Sequence, residues 1–187
     1  MDELLYTALG FLLAFAAIYV RRRMWSFHGQ TAEDYEDGFP AFDLEEHLNG
    51  KMVCDGVIFG PLGRVTSTFN AEFDIKWDGP DGVMDEVFHY NDGSTQNRQW
   101  VIKRGDDGAF TTTADDVPGG GAGVMSGSAV RMTYRIRVPE SAGSHVLDTV
   151  DWMYLTADGT IVNRSQFRKF GVKVAELVAT IKPKGTS

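Results

Sequence analysis

From Arg64 to Trp77 the chain alternates without a break. Val65, Phe69, Phe73, Ile75 and Trp77 fall on one side, and Arg64, Thr66, Glu72, Asp74 and Lys76 on the other. A period of two sustained this long specifies a strand with one buried and one wetted face. Ala129 to Val138 repeats the pattern, with Val130, Met132, Tyr134, Ile136 and Val138 opposite Arg131, Thr133, Arg135 and Arg137. Asp-Gly pairs at 81–82, 92–93, 107–108 and 158–159 punctuate the chain. Such pairs supply the positive φ angles of tight hairpins. Further strands read as 52–59, 83–90, 96–104, 109–114, 146–155, 160–167 and 172–181. With roughly nine strands and no helical crossover, the fold class is all-β. An antiparallel lipocalin-like barrel of roughly 8–10 strands removes the exposed edges of such a chain. A β-sandwich satisfies the same turn spacing.

Ahead of the strands, Leu4 to Val20 carries no charge and is followed by Arg21-Arg22-Arg23. About 20 residues cross a bilayer core, so this is a short transmembrane helix. A signal peptide carries its positive charge before the apolar run, whereas here Asp2 and Glu3 precede it. By the positive-inside rule the body of the protein faces the cytoplasm, with the periplasmic side as the alternative. The expected organisation is an anchor over 1–23, a linker over 24–41, a β-barrel domain over 42–182 and a tail over 183–187. Within it, Asp43 caps a short helix at Leu44 to Leu48, with Glu46 placed for a capping box and Asn49-Gly50 as its end.

Charge and cysteine content narrow the function classes. The 187 residues carry 18 Lys and Arg against 26 Asp and Glu, a net charge of -8, which argues against a nucleic-acid partner. The lone cysteine, Cys54, excludes an internal disulfide framework and a multi-thiolate metal site. In its apolar strand it reads as an inert core residue. The histidines at 28, 47, 89 and 145 have no ligand spacing. No metal or cofactor is expected, and no hydrolase, kinase or dinucleotide motif is present.

Several strands place a polar residue among inward-facing apolar ones. Glu86 shares a face with Met84, Phe88 and Tyr90, and Arg98 with Trp100 and Ile102. Asp151 falls with Leu147, Thr149, Met153 and Leu155, and Asn163 with Ile161, Ser165 and Phe167. The direction of Asp151-Trp152 is ambiguous, because apolar residues flank it on both faces. A buried charge is costly unless paired, so these groups meet one another or meet a ligand. One reading is an apolar pocket lined by Glu86, Tyr90, Arg98, Trp100, Asp151 and Asn163, with Arg98 gripping a carboxylate or phosphate bidentately. The other is an internal Arg–Glu or Arg–Asp pair that locks strand register. Arg164, Arg168 and Lys169 form a basic cluster that reads either as a lipid-headgroup contact or as a solvated strand face. Gly119-Gly120-Gly121-Ala122-Gly123 has no Lys-Ser/Thr after it and reads as a flexible loop or edge crossing rather than a phosphate cradle.

An ordered series of motifs resembles one bacterial family. It runs from Phe42-Asp43-Leu44 and Leu48-Asn49-Gly50 through Gly56 to Gly63 and Glu86-x-Phe88-x-Tyr90-x-Asp92-Gly93. It continues with Gln96 to Trp100, Asp151-Trp152-Met153, Asn163-Arg164-Ser165 and Lys169-Phe170-Gly171-Val172. The match over about residues 42 to 181 resembles domain of unknown function family 3833, whose members are often labelled lipoproteins. This chain lacks the lipid-accepting cysteine of such members. The resemblance implies no activity and no catalytic residue. Its gene neighbourhoods imply a link to membrane fatty-acid modification, and hence a lipid or fatty acid as ligand, a membrane fatty-acid-modifying enzyme as partner and a bacterial inner membrane as location.

The expected function is therefore a membrane-anchored, non-enzymatic lipid holder. A lipid-modifying enzyme using a buried carboxylate and a filled-barrel scaffold that recruits proteins are the alternatives.

Overall fold

The computed structural model describes residues 2–140 and 143–185, and the side chains of Arg22 and Arg23 lie outside that description. So does the end of the expected tail, at 186–187. Helix α1 (Asp2–Met24) is exposed along its whole apolar length and is long and apolar enough to cross a membrane. Anchors and signal sequences share that property. Two short 3-10 turns (Phe27–Gly29 and Ala32–Tyr35) and helix α2 (Leu44–His47) lead into the strands.

Ten strands follow: β1 (Gly50–Phe59), β2 (Val65–Asp78), β3 (Asp81–Tyr90), β4 (Thr95–Arg104), β5 (Ala109–Thr113), β6 (Gly121–Ser126), β7 (Ala129–Arg137), β8 (Val146–Leu155), β9 (Ile161–Lys169) and β10 (Val172–Pro183). Each pairs antiparallel with the next, and β10 pairs with β1 to close the barrel. Closure satisfies the edges of β1 and β10 and decides barrel over sandwich.

α2 plugs one end of the barrel. Phe42, Leu44 and Leu48 are buried there, each contributing roughly 2 kcal/mol of transfer free energy. The indole of Trp77 donates to Leu48 O at 2.8 Å, and Arg104 reaches Asp43 and Glu45 at 3.3 and 2.8 Å. Asp43 caps α2 by accepting from Glu45 N and Glu46 N. The reciprocal bond comes from His47, whose Nδ1 accepts from Asp43 N, rather than from Glu46. The opposite end, formed by the turns at 60–64, 91–94, 114–120 and 170–171 and the described part of the β7–β8 connection, has no such plug among the described residues.

Three local readings change. The Gly119–Gly123 run is loop only at Gly119-Gly120, because β6 begins at Gly121. A Cβ on Gly123 would lie 2.2 Å from Phe110 Cζ, so glycine here makes room for an aromatic ring and conceals the alternation. Asp81-Gly82 is not a turn: the chain reverses at Gly79-Pro80, and Gly82 lies in β3, where a Cβ would come within 2.8 Å of the Trp77 ring. The segment expected as a polar linker is docked onto the barrel wall. Phe27 packs with Ala129 and Trp152, and Ser126 Oγ donates to Ala32 O at 2.7 Å. A Cβ on Gly127 would meet Tyr35 O at 1.9 Å, so this segment can seat only against glycine.

Candidate functional site

The barrel interior is a cavity of about 550 Å³ reaching from α2 to the unplugged end. That volume falls within the usual range for small-ligand sites. It is unequally lined. Cys54, Ile58, Phe69, Phe73, Leu177 and Ile181, on β1, β2 and β10, make an apolar wall. On either side of that wall, β3 and β4 carry Glu86 and Arg98, and β8 and β9 carry Asp151, Asn163 and Ser165, about halfway down. All six expected pocket residues line this one cavity.

Glu86 and Arg98 stand directly opposite in the β3–β4 register, yet the ion pair of Arg98 is with Asp116, Nε to Oδ1 at 3.1 Å. Asp116 comes from the β5–β6 loop. That loop is held over the interior by buried Val117 and by Arg137 N donating to Asp116 O at 2.7 Å. The guanidinium also stacks 4.1 Å above the Trp100 ring centroid. Asp116 takes the Nε arm of Arg98, which leaves the Nη1 and Nη2 end of the guanidinium for any bidentate contact. Its Nη2 is buried with no hydrogen-bond partner, as are Glu86 Oε2 and Thr149 Oγ1. Orphan buried polar atoms are rare in proteins and call for an explanation.

Asp151 is in a different condition. It accepts from Asn163 Nδ2 and from Ser165 Oγ, the latter at 2.8 Å. Asn163 also donates to Trp152 O at 3.1 Å, which ties β9 to β8. The ambiguity at Asp151-Trp152 resolves here: Asp151 faces inward, and Trp152 faces outward beneath Phe27 and Tyr35.

Burial pushes Glu86 up to about 7; Arg98 opposes this, while Asp116 and Asp151 add to it. Burial likewise raises Asp151 to about 6 against the pull of Ser165 and Asn163. The interior thus holds one guanidinium against three carboxyls, and Glu86 is poised to carry a proton near neutrality. Burial raises the Cys54 thiol to about 12, which keeps it inert. Tyr90 donates to Gln96 Oε1 at 3.0 Å toward the open end. Among the described residues, no three His, Cys, Asp or Glu side chains gather as a metal-binding group.

The expected basic cluster is divided between the two sides of β9. Arg164 points outward, is paired with Glu176 at 2.6 Å and lies 4.9 Å above the Phe27 ring. That geometry fastens the N-terminal segment to the wall and corrects the headgroup reading for this residue. Arg168 donates to Gly171 O and Gln166 Oε1 at the barrel rim. Lys169 faces the cavity mouth. Sequence reasoning missed Asp116, because a loop residue carries no strand period. It also left Ser165 out of the site, although the alternation placed it on the inward face.

No curated protein matches the chain. In fold it is similar to an S-type phycobiliprotein lyase from Guillardia theta, with a TM-score of 0.52 and 8% sequence identity. The match covers 76% of this chain and 91% of that one, and at that identity it shows the lipocalin-like barrel alone. A family model described as Protein of unknown function (DUF3833) matches residues 22–183. That span takes in the whole barrel and the segment docked on its wall, and the chain belongs to the DUF3833 family.

Proposed function

We propose that the protein is a membrane-tethered, non-enzymatic barrel that holds a fatty acid or lipid acyl chain and presents it to a membrane fatty-acid-modifying enzyme. The observation that carries this reading is the open, largely apolar cavity with an orphan donor and an orphan acceptor halfway down, Arg98 Nη2 and Glu86 Oε2. An acyl chain fits the apolar wall. A carboxyl head accepts one hydrogen bond from Arg98 and shares a single proton with Glu86. Two carboxyls cannot both ionise at close range in a buried site, and the raised Glu86 supplies that proton. A cavity of this size also argues against the filled-barrel scaffold. The fold neighbour, titled a phycobiliprotein lyase, is consistent with small-molecule handling in such a barrel.

The test is fluorescence transfer from tryptophan, Trp100 lining the cavity, to a conjugated polyene fatty acid added to the full chain. The reading expects saturable one-to-one transfer, summed over the barrel tryptophans, that a saturated fatty acid competes away. Transfer that no saturated fatty acid displaces contradicts it.

A second reading, a lipid-modifying enzyme, rests on the raised Glu86 carboxyl as a general acid or base. The hydroxyls beside Asp151 are those of Ser165 and Tyr134, and Ser165 donates to it at 2.8 Å.

A further inference from the structure

Four strongly exposed large apolar side chains stand at the unplugged end, apart from Phe39 (91%) and Trp25 (75%) in the N-terminal segment. Leu62 is 85% exposed, Phe170 93%, Val172 66% and Val65 53%. All four belong to two hairpins, β1–β2 and β9–β10, that stand side by side because β1 pairs with β10. The same turns hold Arg64, Arg168 and Lys169, with Lys173 beside them paired to Glu176 at 2.6 Å, and neither Phe59–Val65 nor Arg168–Lys173 contains an acidic residue. The far side of the mouth is acidic, with Asp92, Asp115 and Glu140 in its turns. A basic, apolar rim on a domain whose residues after Arg23 carry 15 basic and 24 acidic side chains is a local inversion of charge.

The backbone adds a second observation. Phe170 has φ +51° and Gly171 φ +76°, the geometry of a two-residue turn that favours Asn-Gly. A bulky residue in the left-handed region costs about 1 kcal/mol. The turn thus holds a phenyl ring outward at a position where Asn would be less strained.

We propose that these two hairpin tips dock on an anionic bilayer surface, with Leu62 and Phe170 entering the interface and the neighbouring cations meeting lipid phosphates. The proposal rests on α1 being a membrane anchor. Trp25 and Ser26 alone separate Met24 at the end of α1 from Phe27 seated on the wall, a reach of about 10 Å. A tether this short holds the barrel against the surface its helix enters. The cavity mouth lies beside the docked tips, so an acyl chain would pass between bilayer and barrel without crossing water.

The test uses the full chain in vesicles, with Cys54→Ala and one cysteine introduced by Leu62→Cys, Phe170→Cys, Asp92→Cys or Ala17→Cys, each labelled with an environment-sensitive dye. In mixed phosphatidylethanolamine and phosphatidylglycerol vesicles, labels at 62 and 170 should shift to the blue and lose fluorescence to spin-labelled lipids. The label at 92 should remain water-like. A water-like label at 170 beside a quenched label at 17 overturns docking and leaves the anchor standing. Unquenched labels at both 17 and 170 overturn the anchor and docking together. A blue shift at 170 without lipid quenching assigns the tips to a protein contact and also overturns the proposal. Equal quenching in neutral phosphatidylcholine overturns the anionic character of the surface.

Discussion

Glu86 and Arg98 face each other across the β3–β4 ladder, but Arg98 gives its Nε to Asp116 on a loop and leaves Glu86 without that partner. One cation is thereby shared unequally among two buried carboxyls, Glu86 and Asp151, and the half-buried Asp116. The account of the site follows from that imbalance, and so do the first two predictions.

Glu86 has a raised carboxyl, about 7 against an ordinary 4.5, so the folded state holds a proton that the unfolded chain releases earlier. Stability is therefore greatest below about pH 4.5, falls between 4.5 and 7, and is level above 7 with respect to this group. Glu86→Gln removes the titration. Its unfolding free energy should exceed that of the parent by on the order of 3 kcal/mol at pH 8, with little difference at pH 4. Urea unfolding at the two pH values reads this directly, and an equal gain at both contradicts it.

Binding should follow the same proton. If ligand and Glu86 share one, fatty-acid affinity should be level just below pH 7 and fall about tenfold per unit above it. In Glu86→Gln the slope should disappear. Titration with a fluorescent fatty acid across pH 6 to 9 measures both.

Arg98→Leu should abolish fatty-acid binding and also destabilise the fold by roughly 2 kcal/mol or more, because it strands the half-buried Asp116 carboxylate. The double variant Arg98→Leu with Asp116→Asn removes the stranded charge. It should recover stability without recovering binding. Recovery of both would make Arg98 a register lock and not a ligand contact.

The docked N-terminal segment predicts coupling across the wall. Phe27→Ala and Arg164→Ala should each loosen the segment from β8 and β9. Limited proteolysis should then cut between residues 28 and 41 well before the barrel is attacked. Phe27→Ala should cost about 2–3 kcal/mol if the segment unfolds with the barrel. Unchanged protease resistance contradicts the fastening role.

Gly123→Ala should cost about 1–3 kcal/mol by overpacking against Phe110. Phe110→Leu in the same chain should return part of that loss, which denaturant unfolding would show as non-additivity.

The fold was legible wherever one face of a strand is dry and the other wet. β2 shows it best: Phe69, Ala71, Phe73 and Ile75 are buried in strict alternation, as the sequence pattern requires. The pattern failed at β6, where Gly121 and Gly123 carry no side chain because Phe110 and Tyr134 fill their space. Inward polar residues were legible for the same reason as the core, since Glu86, Arg98, Asp151 and Asn163 share faces with apolar neighbours. Their partners were not. Asp116 reaches Arg98 from a loop, and only tertiary folding brings the two together. Trp152 was ambiguous because both of its strand's faces are covered, one by the core and one by Phe27 and Tyr35.

The central claim is that the cavity is occupied by an acyl chain, and mass spectrometry of an organic extract from the purified full-length protein tests it most directly. Leu177→Trp, which fills the cavity from its apolar wall, separates an internal ligand from lipid adhering to α1. The account predicts a fatty acid or acyl lipid near one per chain in the parent and its loss from Leu177→Trp. Equal lipid in both proteins, or none in the folded parent, would contradict it.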